Sequence, residues 1–130
     1  MELHFSHLPL PCPLNSLYGV MAVRKGRRMI HMKVLTKRAR VRRDLVVAEI
    51  IKQCRGCAPM MSGPVQVVYT ITPRDRRTPD IDAYCKQLFD CLVHARVIAD
   101  DGQIVQQSGE RMPTPQNPGW IDVTIIDVPE

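Results

Sequence analysis

The chain has 130 residues, of which 45% are hydrophobic and 24% charged, values that fit one globular domain and exclude a disordered tail, a collagen-like rod and a coiled coil. Residues 1–43 hold ten basic residues and one acid (net +9), whereas residues 44–130 hold eight basic and twelve acidic residues (net −4). This asymmetry favours a polyanionic partner for the first part of the chain and a collection of carboxylates in the second.

The sequence has no apolar run of the roughly 18 residues that a membrane-spanning helix needs, so no membrane association is expected. Its first residues, MELHFSHLPLPCPL, contain no basic leader followed by an uninterrupted apolar stretch, which predicts a cytoplasmic protein. The five cysteines need not pair in a reducing compartment. Cys54 and Cys57 have the spacing of half a zinc site, but a structural zinc ion needs four ligands and no second pair accompanies them.

The first part of the chain predicts strands followed by a basic helix. Residues 2–8 alternate loosely and predict a strand, which ends at a proline-rich segment. A basic turn containing glycine then leads into residues 29–35, which predict one strand of a hairpin. Thr36 is a candidate N-cap for the helix that follows. The expected buried stripe of this helix consists of Val41, Leu45, Ala48 and Ile51, widened by Val47, Ile50 and Cys54.

The second part interleaves strands with another helix. Residues 64–72 (PVQVVYTIT) are rich in β-branched side chains and predict the clearest strand. A helix is predicted from Pro79 to Ala95, a turn at Asp100-Asp101-Gly102, and strands over residues 103–107 and 120–128. The expected buried stripe of that helix is Ile81, Tyr84, Leu88, Cys91, Leu92 and Ala95. These patterns predict a single α/β domain of the α+β type over residues 1–130, with a mixed sheet of four to five strands and two main helices.

Carboxylates collect around the second helix. Asp80 and Asp82 flank its start, and Asp82, Lys86 and Asp90 follow one another at a spacing of four residues. Asp101 comes after the helix, so it can meet the first two acids only if the next strand runs back beside the helix start or if a second subunit supplies it. Three converging carboxylates would suit Mg²⁺. The alternative is that these acids are helix caps and turn residues.

Basic residues surround the same acids. Arg74, Arg76 and Arg77 immediately precede Asp80, a placement that suits a site that brings a phosphodiester onto a metal ion. Lys86 could offer its charge to a scissile phosphate or to a leaving oxyanion, and its alternative role is a salt bridge to Asp82 or Asp90. The first turns of the first helix are also basic, which opposes the helix macrodipole, so something other than helix stability favours these charges unless they form a solvated face.

At these residues the sequence resembles the RusA-type Holliday junction resolvases, a family common on phages and prophages. The likeness runs from LPLPCPLNSLY through the basic hairpin and helix to RDRRTPDIDAYCKQLFDCLVHARVIADDGQI and the last strand. The family pattern of Asp-x-Asp, a lysine, Phe-Asp and Asp-Asp-x-Gln is met by Asp80, Asp82, Lys86, Phe89-Asp90, Asp100-Asp101 and Gln103. One position departs from the pattern, because Ala83 stands where the family usually has asparagine.

The resemblance implies a RusA-like, magnesium-dependent endonuclease that resolves Holliday junctions by paired symmetric nicks in DNA recombination and repair, with Mn²⁺ as an alternative ion. It makes Asp80, Asp82 and Asp101 the catalytic metal ligands, Asp100 an additional candidate ligand, and Lys86 the catalytic lysine. It also implies a homodimer that acts on four-way DNA junctions. If the protein is such a junction resolvase, the expected DNA-binding residues are Arg74, Arg76, Arg77, Lys25, Arg27, Arg28, Lys37, Arg38, Arg40, Arg42 and Arg43.

Two other functions fit the same residues. The chain could be a basic DNA-binding protein of phage origin with a catalytically weak site, whose binding would weaken steeply with salt and which would not cut DNA with Mg²⁺ or Mn²⁺. It could also be a nuclease for other branched DNA, such as flaps or replication forks. Incubation with a four-way junction and a matched duplex, with and without Mg²⁺, separates the three.

Overall fold

A computed structural model describes residues 1–56, 59–77 and 80–129. Cys57, one half of the candidate zinc pair, and Pro79, the predicted start of the second helix, lie outside these residues. The described part is a small α+β fold with two α-helices, as the sequence predicts. Its elements are β1 (Glu2–Leu8), β2 (Tyr18–Lys25), β3 (Arg28–Leu35), α1 (Lys37–Gln53), β4 (Val65–Thr72), α2 (Cys85–His94), β5 (Ile104–Arg111) and β6 (Trp120–Asp127), with 3-10 turns at Leu14–Ser16, Ile81–Tyr84 and Asp101–Gln103.

Four strands form a mixed sheet in the order β1-β6-β4-β5. Strand β4 is central, and its alternate residues Val65, Val67, Tyr69 and Ile71 are buried, as the β-branched pattern predicts. Antiparallel β6 pairs with it on one side and parallel β5 on the other. Because parallel neighbours need a crossover connection, the chain between β4 and β5 leaves the sheet and returns through α2. That crossover contains every acid of the candidate site.

Strands β2 and β3 form a separate two-stranded hairpin. Gly26 lies in the turn between them with a φ of +65°, a conformation that glycine adopts without steric cost. All described side chains from position 20 to position 33 are exposed, so the hairpin projects from the rest of the fold. Its tip carries Arg24, Lys25, Arg27 and Arg28. The tip of the hairpin is therefore a strongly basic, solvent-exposed surface.

Helix α1 begins where the sequence predicts, because the Thr36 hydroxyl oxygen accepts a hydrogen bond from Ala39 N at 3.1 Å. Its predicted buried stripe is wrong in part. Ala39, Val46 and Ile50 face the core, whereas the stripe residues Val41 and Leu45 are 49% and 47% exposed. Ala48 and Ile51 are exposed too. The apolar arc of this helix is wider than the surface that the sheet and α2 can cover, so its outer edge stays open in one chain.

The second helix is shorter than predicted. Residues Ile81–Tyr84 form a 3-10 turn, and the α-helix begins only at Cys85. Ile81 is 39% exposed, contrary to the expectation that it is buried, because the tighter turn rotates it away from the core. Leu88, Cys91 and Leu92 are fully buried, as predicted. No helix in the described residues is long and apolar enough to cross a membrane.

Candidate active site

Asp80 and Asp82 lie at the start of the crossover, in the 3-10 turn that precedes α2. Asp80 has an extended ψ of 156°, and its carbonyl oxygen accepts a hydrogen bond from Ala83 N at 3.0 Å, which closes the turn. Both carboxylate side chains are exposed. The turn and its N-cap therefore present two carboxylates, both hard oxygen donors, to solvent from positions two residues apart.

A buried pair of side chains fixes this turn to the sheet. Cys85 Sγ donates a hydrogen bond to the hydroxyl oxygen of Tyr69, on strand β4, at 2.8 Å. Burial raises the pKa of both groups, and the nearby charge of Asp82 raises both further, so they stay protonated. Gly109 on β5 makes room for the Tyr69 ring, which a Cβ at that position would strike. Asp82 thus lies close to a buried, uncharged contact between Tyr69 and Cys85.

Lys86 is exposed on the first turn of α2, four residues after Asp82. Its alternative role as a salt-bridge partner of Asp82 or Asp90 is not seen among the described residues. Asp90 is half-buried beside Cys91, and burial, followed by the charge of Asp90, raises the pKa of that thiol to about 12. Lys86 is therefore open to solvent, whereas Asp90 is half-buried.

Asp100 and Asp101 lie beyond the other end of α2. Asp100 immediately precedes the Asp101–Gln103 turn, and its N–H donates to the Gln103 side-chain oxygen at 3.1 Å. Asp101 is the first residue of that turn and its side chain is exposed. Asp100 therefore has a capping position, in keeping with the structural alternative for this residue, while the Asp101 carboxylate is directed to solvent.

One chain does not bring the three predicted metal ligands together. The turn with Asp82 lies at the start of α2 and the turn with Asp101 beyond its end, and a helix of 10 residues is about 15 Å long. The strand register supports this separation. Ile104, three residues after Asp101, pairs with Val65 at the start of β4, whereas Asp82 follows the end of β4 in the chain. Within the described residues, no three His, Cys, Asp or Glu side chains are close enough to hold one metal ion. The first of the two arrangements open to Asp101, in which one chain brings it to Asp80 and Asp82, is therefore not seen in the described residues.

The predicted DNA-binding residues fall into three groups. Lys25, Arg27 and Arg28 are at the exposed tip of the hairpin. Lys37 and Arg40 are exposed on the first turns of α1, and the first turn of this helix contains no acidic residue. Arg38, Arg42, Arg74 and Arg77 line a cleft beside Tyr84.

The cleft has a positive electrostatic environment. Burial raises the pKa of Tyr84; of the nearby charges, Arg74, Arg38 and Arg42 act to lower it and Asp75 acts to raise it. The other two predicted DNA-binding residues, Arg76 and Arg43, belong to none of these three groups. Arg76 lines a neighbouring depression instead, and the Arg43 Nε atom lies 3.4 Å from an Asp44 carboxylate oxygen. The arginines that precede Asp80 are thus joined by arginines of α1, a convergence that sequence spacing does not reveal.

Sequence reasoning missed a side chain that joins the basic helix to the helix of the site. Gln87 is 1% exposed. Its side-chain oxygen accepts from Cys12 N at 2.6 Å, and its side-chain nitrogen donates to the carbonyl oxygen of Ala39 at 2.7 Å. The signal that could have identified it is a polar residue at helical spacing from Tyr84 and Cys91, two members of the predicted buried stripe. Gln87 holds the start of α1 and the proline-rich segment against α2.

Comparison with known protein families gives a match to this sequence. The model of the family described as endodeoxyribonuclease RusA matches residues 21–126, a range that includes both turns with the acids, Lys86 and all four arginines of the cleft. Among curated proteins there is no match to this chain. Since the family model covers most of the sequence, the chain belongs to the RusA endodeoxyribonuclease family of Holliday junction resolvases.

Proposed function

We propose that the protein is a magnesium-dependent endodeoxyribonuclease that resolves four-way DNA junctions by paired, symmetric nicks during recombination and repair. The observation that carries the proposal is the exposed Asp80–Asp82 pair, which lies in one turn beside the four arginines of the cleft. Carboxylates next to phosphate-binding cations are what a metal-dependent phosphodiester hydrolase requires.

The donors in this turn suit a magnesium ion. Mg²⁺ binds hard oxygen atoms, and it is commonly held by one or two carboxylates together with waters and substrate phosphate oxygens. Asp80 and Asp82 would supply those carboxylates, and Mn²⁺ would accept the same donors. When bound, the ion would polarise the phosphodiester and stabilise negative charge that develops on its oxygens.

A second copy of the chain would supply Asp101. In one chain α2 separates this acid from the other two, and its side chain is exposed and available to a partner. An isologous dimer would place Asp101 of each copy at the Asp80–Asp82 pair of the other, forming two equal sites. Two sites related by a two-fold axis would cut two strands symmetrically, which fits paired nicks in a four-way junction.

The cations around the acids would position the DNA. Lys86, one turn beyond Asp82, would offer its ammonium to the oxyanion that leaves when the strand is cut. The arginines of the cleft would hold phosphates beside the cut, while the hairpin tip and the first turns of α1 would contact the duplex arms through the backbone, without reading the bases.

Cleavage of a synthetic four-way junction tests this function. We expect symmetric nicks in the junction with Mg²⁺ or Mn²⁺, none with EDTA, and no cleavage of a duplex of the same sequence. Asp82→Asn should bind the junction but lower cleavage by a factor on the order of a thousand or more, since removing an electrostatic group from an active site typically costs about 10²–10³ and loss of a metal ligand costs more. The control Glu110→Gln changes an exposed acid on β5 and should cut normally.

Two results would contradict the proposal. Junction binding without cleavage under any divalent metal ion would identify a DNA-binding protein with an inactive site. Equal cleavage of flaps, forks and four-way junctions would identify a nuclease of broader structure specificity.

A further inference from the structure

A cleft of about 500 Å³ opens beside the turn that holds Asp82. Arg38 and Arg42 of α1 enter it from one side, and Arg74 and Arg77 from the segment after β4. Asp75 is the one acid among the described residues that line it. Four guanidinium groups from two distant parts of the chain therefore share one small space.

The positive charge of this cleft is not balanced within it. A carboxylate oxygen of Asp75 accepts from Arg77 N at 2.9 Å, and the other lies 3.5 Å from Arg74 Nε, so Asp75 offsets about one of four charges. Arg38 and Arg42 are one helical turn apart, where like charges repel. Arg42 is held in place through a hydrogen bond from its Nε to the carbonyl oxygen of Leu10 at 3.0 Å. An anion in the cleft would relieve this repulsion.

The remaining walls mix apolar and polar side chains. They include the accessible prolines Pro13 and Pro118, the largely buried Tyr84, and the polar side chains of Asn15 and Ser16. The volume lies within the roughly 300–1,000 Å³ of sites that enclose small organic molecules, and is larger than a phosphate ion needs. Unpaired nucleobases stack on aromatic rings and on guanidinium planes. The cleft therefore offers surfaces for both a phosphate and a base.

The position and width of the cleft limit which ligands can enter it. Tyr84 lines the cleft and belongs to the 3-10 turn that holds Asp82, although neither Asp80 nor Asp82 is part of the lining, so an occupant of the cleft lies against the same turn as the acids. Bases inside a duplex are stacked and paired and cannot reach such a recess. A nucleotide can enter it only after it leaves the stack, and this costs least where pairing is already broken.

We propose that the four-arginine cleft binds a single unpaired nucleotide beside the cut, with its phosphate on the guanidinium groups and its base against a guanidinium plane and the accessible prolines Pro13 and Pro118. The inference rests on the proposed function, and it adds the feature of the DNA that the site selects. A crossover point releases nucleotides more readily than a duplex does. Occupancy of the cleft would therefore favour junctions over linear DNA.

Binding of single-stranded DNA without metal ions tests the cleft separately from cleavage. The probes are a fluorescent oligonucleotide of about four thymidines, sized to one stacking site, and a fluorescent duplex. The variants are Arg38→Gln, in the cleft, and the matched control Arg40→Gln, which removes the same charge from an exposed position of the same helix outside the cleft lining. Competition with inorganic phosphate and with thymidine monophosphate separates charge from base recognition.

We expect Arg38→Gln to weaken binding of the oligonucleotide about tenfold, with Arg40→Gln changing it by no more than about twofold, because only the first removes a charge-assisted contact in the cleft. The two variants should weaken duplex binding equally. Thymidine monophosphate should compete better than phosphate. Equal losses in both variants, or equal competition by the two anions, would overturn the inference.

The outcomes distinguish this inference from the function on which it rests. A protein that cuts no DNA but shows the expected difference between Arg38→Gln and Arg40→Gln has the cleft without the nuclease activity. A protein that cuts junctions normally but in which Arg38→Gln and Arg40→Gln bind the oligonucleotide equally well is a nuclease whose cleft does not bind an unpaired nucleotide.

Discussion

Gln103 fixes the turn that holds Asp101. Its side-chain nitrogen donates to the carbonyl oxygens of Met61 and Gly63 at 3.0 and 2.9 Å, and its side-chain oxygen accepts from the backbone N–H groups of Ala99 and Asp100. The turn is thereby tied to the segment before β4. Gln103 is a positioning residue, because its amide is fully engaged with the backbone and the acid two residues earlier is the group directed to solvent.

Replacing Gln103 with leucine should lower both stability and activity. The variant removes four hydrogen bonds, and at a net value of about 1 kcal/mol each, less what water restores, we expect the free energy of unfolding to fall by about 2–3 kcal/mol. Urea denaturation measures this loss, and junction cleavage should fall with it while duplex binding stays constant. Gln106→Leu, at an exposed position of β5, is the matched control. Unchanged stability in Gln103→Leu would show that these bonds do not anchor the turn.

Some residues of the site follow from the sequence and others do not. The acids and Lys86 are recognisable because their spacing and chemical type match a known pattern. The contact between Tyr69 and Cys85 is not, since it joins a strand to a helix start and depends on the space that Gly109 leaves on a third element. Contacts of that kind are set by the packing of the sheet and have no local signature.

At the scale of elements, the outer face of α1 is the main departure from the predicted structure. Val41, Leu45, Ala48 and Ile51 have helical spacing, yet they are exposed in one chain. Apolar periodicity on a helix reports burial in the assembled protein and does not say which partner covers the face. A second copy of the chain, which the proposed shared active site would also need, is the partner that we expect on this stripe.

A charge in the middle of this stripe should prevent dimer formation. We expect Leu45→Glu to be folded but monomeric and to cut the junction at least about tenfold more slowly at equal chain concentration, because a buried, unpaired carboxylate destabilises an interface by several kcal/mol. Sedimentation equilibrium measures the mass, and far-UV circular dichroism checks the fold. Val105→Glu, an equal change at an exposed valine of β5, is the control. A dimeric, active Leu45→Glu protein would place the interface elsewhere.

The strands were more predictable than the ends of the helices. Central β4 is β-branched and bounded by prolines, and the structure confirms it almost to the residue. Strand β5 continues to Arg111, well past its predicted end, because parallel pairing with β4 uses backbone groups and does not need the apolar alternation that the sequence lacks there. The start of α2 could not be placed, since a 3-10 turn and an α-helical turn have similar sequence preferences.

At the scale of the whole molecule, the division of charge has a structural counterpart. The basic first part forms the projecting hairpin and the start of α1, and the acidic second part forms the crossover with its two separated turns. A dimer would join turns of different copies and double the basic surface that faces DNA. This separation is the reason why a small chain would act on a branched substrate only as a pair.

Mixing two inactive variants tests this account most directly. Asp82→Asn and Asp101→Asn chains, co-refolded in equal amounts, would form mixed dimers in which one shared site carries both substitutions and the other carries neither. With random pairing, half of the dimers are mixed and each has one intact site of two, so junction cleavage with Mg²⁺ should recover to about a quarter of the wild-type rate. A mixture as inactive as either variant alone would contradict a site shared between two copies.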